Sequence, residues 1–228
     1  MFSRRPKPDV HRRKLLRTVA PGPLYDYLGW PLPDPDTPVE ELGLLAVDLE
    51  TTGMDPRRDT LLSIGYVPVE GRTVDLSGAR RFVVRGSAEV GPSAAIHGIT
   101  DDTMAAGVSM KHALTEVLAA LRGRVLLSHF TDIEEGFLSA ACEQEFGAGM
   151  PCARIDTLEL QRRLIVGGWH GEAPPGTLRL WSARRRYSLP VYKAHDALVD
   201  ALACAELFLA QVAEMSEQGP VTLKRLAS

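Results

Sequence analysis

The stretch that most constrains this chain is Leu44-Leu45-Ala46-Val47-Asp48-Leu49-Glu50. Leu44 to Asp48 read as the short apolar run of a buried central strand. Asp48 and Glu50 stand two apart at its end. On a strand, residues i and i+2 project to one face, so the two carboxylates converge. An acid pair at the end of a buried strand is costly unless something compensates its charge. A divalent ion does so, and oxygen ligands suit Mg²⁺ or Mn²⁺. The bland reading is that both acids lie beyond the strand, solvated or capping a loop. Taken alone, Asp-x-Glu favours the bland reading.

The pattern beyond this run is regular. Leu61 to Val69 and Arg81 to Val84 read as two more strands. Turn signals at Gly53, Pro56, Gly71 and Gly78 make the three an antiparallel meander. Ala113, Val117, Leu118 and Leu121 are spaced for one helical face. A strand at Val125-Leu126-Leu127 follows, then a helix around 132–145, a fifth strand at Ile155, a helix over 157–166 and a last helix from 196 to 214. Three strands followed by alternating helices and strands predict an α/β sheet of mixed direction covered by helices.

Three segments are expected: a basic, proline-rich extension over 1–41, a compact domain over 42–214 and a tail over 215–228. Within the first, Pro21, Pro23, Pro31, Pro33, Pro35 and Pro38 predict no regular helix between 21 and 38. Leu15, Leu16, Leu24, Tyr25, Tyr27, Leu28 and Trp30 nevertheless give this arm something to bury.

The net charge of −3 excludes a polycation, so attraction to a polyanion must come from local basic patches or bound metal ions. Cys142, Cys152 and Cys204 are odd in number and form no Cys-x-x-Cys pair, which favours a reducing compartment over a disulfide framework. No apolar run has the length of a signal peptide or a membrane span. A cytoplasmic protein is expected.

Three segments then fall in order: Asp-Leu-Glu-Thr-Thr-Gly at 48–53, Ile-His-Gly-Ile-Thr at 96–100, and Ala-His-Asp-Ala-Leu-Val-Asp at 194–200. Each is short, but the ordered set resembles the motifs of the DEDD-type 3′–5′ exonucleases, in their histidine branch, a group that includes proofreading subunits of replicative polymerases. The resemblance covers roughly 42–212. It implies a ribonuclease H-like α/β fold, a mixed central β-sheet of about five strands flanked by helices.

His195 and Asp200 are five apart, about 140° around an ideal helix, and cannot share one helical face. The resemblance fits this by placing the histidine on the loop before the helix and the aspartate in its first turns. Asp196 reads as an N-cap or first-turn acid. The remaining acid is less direct. In His129-Phe130-Thr131-Asp132-Ile133-Glu134-Glu135-Gly136-Phe137-Leu138, anchoring on His129, Phe137 and Leu138 puts Glu134 where the family has aspartate and Phe130 where it has asparagine. Three readings stand: Glu134 is the ligand, Asp132 has taken its place, or the site is weakened. Glu134 is preferred.

The resemblance implies two divalent ions, Mg²⁺ or Mn²⁺, held between Asp48, Glu50, Glu134 and Asp200, with His195 as general base and nucleoside 5′-monophosphates as products. Thr51, Thr52, His97, Gly98 and Ile99 are candidates for holding the terminal nucleotide, Ile99 by offering an apolar surface. Lys193 is a further candidate by its position. Thr100 reads as an N-cap, and Asp156 as a capping residue at a strand-to-helix junction. Arg179 and Arg184-Arg185-Arg186, with Trp181 and Tyr187 interleaved, form either a nucleic-acid surface or a solvated helix face.

The expected partner is a nucleic acid with a free 3′ end, single-stranded DNA first. A proofreading role would need a separate polymerase partner. Two alternatives remain: an exonuclease of RNA or oligoribonucleotides, and a catalytically weakened nucleic-acid-binding scaffold.

Overall fold

The computed structural model of the chain describes residues 8–86, 98–166 and 172–227. Among these, six strands form one sheet: β1 Gly43–Thr51, β2 Leu61–Glu70, β3 Thr73–Val74, β4 Arg80–Val83, β5 Val125–Ser128 and β6 Arg154–Asp156. The order is β3-β2-β1-β5-β6, with β4 also on β2. The β1–β2 and β2–β4 pairs are antiparallel, while β1–β5 and β5–β6 are parallel. This is the mixed sheet expected from the meander followed by alternating elements.

The helices are α1 Pro8–Leu15, α2 Pro23–Gly29, α3 Asp101–Ala105, α4 Met110–Leu121, α5 Asp132–Phe146, α6 Thr157–Val166, α7 Leu180–Arg186, α8 Ala197–Ser216 and α9 Leu223–Leu226. β1 is central and covered on both faces, which is why it is almost wholly apolar. Its side chains alternate between two cores. Leu45, Val47 and Leu49 pack with Leu114, Leu118 and Leu121 of α4 and Leu138 of α5. Leu44 and Ala46 pack on the opposite face, with Leu160 of α6 and Ala205, Phe208 and Val212 of α8. Asp48 and Glu50 continue the second stripe by the same period of two, so they fall on the face that α8 crosses. The strand's alternation therefore decides which helix meets the acids.

The proline-rich segment departs from expectation. Helix α2 forms within 21–38 because Pro23 sits in its first turn, where a missing N–H removes no helical hydrogen bond. Leu24, Tyr27 and Leu28 of this helix are buried in the core against α4. Arg12 of α1 fastens the segment: its guanidinium donates to the carbonyls of Tyr27 at 2.6 Å and Leu28 at 3.3 Å and lies over the Tyr27 ring. Among the described residues no helix is long and apolar enough to cross a membrane.

Candidate active site

Three elements bring the acids to one edge of the sheet. Asp48 and Glu50 come from the C-terminal end of β1, where a register shift between Glu50 and Thr51 ends regular pairing with β2. Such a bulge re-aims side chains at a strand end. Glu134 comes from the first turn of α5, and Asp200 from the first turn of α8. His195 lies on the approach to α8 with an exposed side chain and a left-handed φ of 66°. The ligand atoms of Glu50, His195 and Asp200 all lie within 4.8 Å of one another.

The start of α8 is tightly specified. Asp196 is the N-cap; its carboxylate accepts the N–H groups of Leu198 and Val199 at 3.1 and 3.3 Å, and it pairs with Arg81 of β4 at 3.0 Å. The backbone N–H of His195 donates to Asp200 Oδ2 at 2.9 Å. The chain therefore turns back on itself before the helix, with His195 ahead of the helix and Asp200 in its first turn, the placement the resemblance implied.

Across the sheet, Asp48 faces Gly65 of β2 in the pairing register. A side chain at Gly65 would collide with the backbone of Ala197 and Leu198, so the missing Cβ is what lets α8 settle over the acids. Sequence reasoning missed this residue. A lone glycine inside an apolar strand, here between Ile64 and Tyr66, is the signal of a close backbone approach.

Electrostatics bind Asp48 and Glu134 into the same cluster. Burial pushes the Asp48 carboxyl well above the ordinary range, and the charges of Glu134, Asp200 and Glu50 push it further. Burial, then Asp200, raises Glu50 to about 7. Glu134, 5% exposed, is raised by burial to about 8. Asp200 is raised by burial and eased by the His195 N–H. Glu134 Oε2 and Asp200 Oδ1 are buried without a hydrogen-bond partner. Buried carboxylate oxygens lacking donors, and acids that repel one another, are the condition a hard cation relieves. The donor set fits one or more divalent ions: four carboxylates, with an imidazole at the rim.

The other acids in the first turn of α5 are engaged elsewhere. Arg154 of β6 pairs with both Asp132, at 2.7 Å, and Glu135. Asp156 is a capping residue, accepting the N–H groups of Phe130, Thr131 and Leu158 at 3.0, 3.1 and 2.9 Å.

The nucleotide-holding candidates separate. Thr51 Oγ1 donates to the Gly53 carbonyl at 2.6 Å, and Thr52 Oγ1 accepts the Thr60 N–H at 2.9 Å, so both brace the loop after β1. Lys193 is exposed. Gly98 has φ of 67° and open space where a side chain would be. Ile99 does not offer the open apolar surface expected of it; it is buried in a cluster with Leu62 and Met104 and anchors its segment. Thr100 caps α3 as expected, accepting the Thr103 N–H. His97 lies outside the described residues.

The arginine cluster is also divided. Arg184 is 1% exposed, donates to the carbonyls of Ala203 and Pro190, pairs with Glu206 at 2.7 Å and lies beside the rings of Trp181 and Tyr192. Arg186 and Tyr187 both engage Glu214. Arg179 and Arg185 are exposed and, with Arg186, line an open groove of about 500 Å³ beside α6.

A family model described as Exonuclease (RNase T) matches residues 45–208. The chain is similar to the PolC-type DNA polymerase III of Thermotoga petrophila, 28% identical over 193 residues, which make up 84% of this chain and 13% of that protein. It is similar as well to the epsilon subunit of DNA polymerase III from Treponema pallidum, 28% identical over 189 residues, 78% of this chain and 80% of that subunit. The chain thus spans about an eighth of the PolC-type relatives' length. Among solved structures, exonuclease I of E. coli in complex with a dT13 oligonucleotide shares the fold with a TM-score of 0.64 and 15% identity, over 78% of this chain and 42% of that one. Cell-death related nuclease 4 does so with a TM-score of 0.62 and 13% identity, over 79% and 66%. The mixed sheet flanked by helices is accordingly the ribonuclease H-like fold. With the family match extending over most of its length, the chain belongs to the exonuclease (RNase T) family.

Proposed function

We propose that this protein is a metal-dependent 3′–5′ exonuclease acting on DNA, with Asp48, Glu50, Glu134, Asp200 and His195 as its catalytic residues. One observation carries the reading: Glu50 of β1 and Asp200 of α8 gather beside the exposed His195 imidazole, while Glu134 of α5 repels Asp48, and one oxygen each of Glu134 and Asp200 is buried and unpartnered. Asp48, Glu50, Glu134 and Asp200 would hold two divalent ions, Mg²⁺ or Mn²⁺. When bound, such ions lower the pKa of a water nucleophile and stabilise the leaving 3′ oxygen.

The chain's own residues do the rest. His195 takes the proton of the attacking water, a role supported by its exposed ring beside Glu50 and Asp200. Imidazole is the side chain suited to that exchange near neutral pH. The new bond joins the water oxygen to phosphorus, and the bond from phosphorus to the upstream 3′ oxygen breaks. A nucleoside 5′-monophosphate leaves, and the 3′ oxygen of the shortened strand takes up a proton from solvent to become a hydroxyl. The Asp200 carboxylate, fixed by the His195 backbone N–H, holds the turn that carries the imidazole. Gly98 and Lys193, on the open side of their segments, would meet the terminal nucleotide.

DNA is favoured because the relatives with the highest similarity above are DNA polymerase III proteins and the exonuclease I structure holds dT13. A separate polymerase is the corresponding protein partner. The test is digestion of matched 3′-labelled and 5′-labelled DNA and RNA oligonucleotides in Mg²⁺ or Mn²⁺, with and without chelator. Loss of 3′-terminal nucleotides from DNA, stopped by chelator, is expected. Binding without degradation would leave a scaffold, and faster loss from RNA would reassign the substrate.

A further inference from the structure

Phe130 is 41% exposed and has a φ of 82°. Among the described residues, three that are not glycine have a left-handed φ: Phe130, Ser188 and His195. Phe130 and His195 occupy corresponding places. Each stands two residues ahead of a helix that delivers an acid to the site, α5 with Glu134 and α8 with Asp200. A bulky side chain in this region of backbone space is strained, and the strain persists only where neighbours fix it.

Asp156 supplies the fixing. Its carboxylate accepts the N–H groups of Phe130 and Thr131, while the Phe130 carbonyl accepts the Ile133 N–H at 3.1 Å. Phe130 follows the end of β5 at Ser128 by two residues and precedes Glu134 of α5 by four. Its segment is thus the link from β5 into the helix that carries Glu134. An asparagine or glycine would fit that backbone with less strain, yet the position holds an open aromatic ring.

We propose that Phe130 is a stacking platform for an unpaired base of the bound strand, at the mouth of the carboxylate cluster. The inference rests on the nuclease reading above and adds a binding residue to it. Every base presents a π face, so such a platform retains a single strand without regard to sequence. It supplies apolar contact beside a site otherwise composed of charge.

The test pairs Phe130→Asn, which tolerates the left-handed backbone, with Phe130→Trp, which keeps a ring. KM and kcat are measured on single-stranded DNA that is intact or abasic at one of the last three 3′ positions, and melting temperature is measured alongside. For Phe130→Asn, an unchanged or higher melting temperature, a KM raised about tenfold and a nearly constant kcat are expected, from the usual worth of one stacked base. Phe130→Trp should keep the original KM. An abasic residue at one position should raise the KM of the unaltered protein to that of Phe130→Asn and leave the variant unmoved. If the unaltered protein digests DNA and Phe130→Asn matches its KM, stacking is overturned and the nuclease reading stands. Equal KM rises for both proteins on abasic DNA would overturn it likewise. If the unaltered protein digests no 3′ end, both readings fall.

Discussion

Gly65 of β2 lies so close to the peptide after Ala197 that a methyl group at position 65 would stand 2.1 Å from the Ala197 carbonyl carbon and 2.2 Å from Leu198 N. Both are backbone atoms, so no flexible side chain can give way. The helix start would have to move, and Asp200 and His195 with it. Overpacking of this kind costs about 1–3 kcal/mol, and a displacement of about 1 Å at reacting groups costs on the order of 100-fold in rate. Gly65→Ala should therefore lose activity well beyond what its lowered melting temperature explains. A variant with normal kcat would show that α8 need not sit where Gly65 allows it.

The acids that serve the site also load the metal-free fold. Glu50 and Glu134 are raised to about 7 and about 8 in the folded protein, above their values in an unfolded chain. Their contribution to stability is thus complete below about pH 4.5 and is lost as pH rises through those folded values. Divalent metal should reverse the loss by favouring the charged forms. The gain in melting temperature on adding Mn²⁺ should be larger at pH 8 than at pH 5. Calorimetry at the two pH values checks this, and an equal gain at both would dissociate the metal from these carboxylates.

Glu134 and Asp132 lie two residues apart on α5 yet face different partners. Glu134 is buried among the site acids with an unpartnered oxygen, whereas Asp132 is exposed and paired with Arg154. Glu134→Gln should lower kcat by roughly 100-fold or more, in the range that loss of a positioned electrostatic group produces. It should also raise the metal-free melting temperature at pH 8, by about 2–4 °C for each kcal/mol of repulsion relieved. Asp132→Asn should change stability by no more than about 0.5 kcal/mol, as exposed ion pairs do, and leave kcat within twofold to threefold, roughly. The opposite order of effects would transfer the role to Asp132.

What could be read in advance was local. The alternation in β1 placed Asp48 and Glu50 on one face, and the spacing of His195 and Asp200 excluded a shared helical face, while the resemblance supplied the loop before the helix. What could not be read depended on distant partners. Gly65 acquires its meaning only from Ala197, more than a hundred positions later. Helix α2 survives its proline-rich surroundings because Leu24, Tyr27 and Leu28 find α4, and Ile99 turned inward because Leu62 and Met104 offered it a pocket. Glutamate at the aspartate position 134 was legible as a change, while its burial depended on how α5 packs onto the sheet.

The arginine run makes the same point in testable form. Arg184 reads locally as one more basic residue, but Glu206 lies 22 positions away and the Ala203 and Pro190 carbonyls complete its cage. Removing it leaves the Ala203 and Pro190 carbonyls without this donor and Glu206, which the Tyr192 hydroxyl still contacts, without its cation. Arg184→Ala should cost about 2–4 kcal/mol, below the full range for breaking a wholly buried pair because Glu206 stays partly solvated. Lysine should not rescue it, because an ammonium cannot reach several acceptors in a planar fork. Arg179→Ala and Arg185→Ala, both at exposed positions, should leave the melting temperature nearly unchanged. If their groove meets the strand, each should weaken oligonucleotide binding and flatten its salt dependence by about one counterion. Urea denaturation together with binding titrations at several salt concentrations separates the two roles. Equal stability loss at 184 and 185 would mean that the cage around Arg184 contributes nothing beyond an ordinary surface arginine.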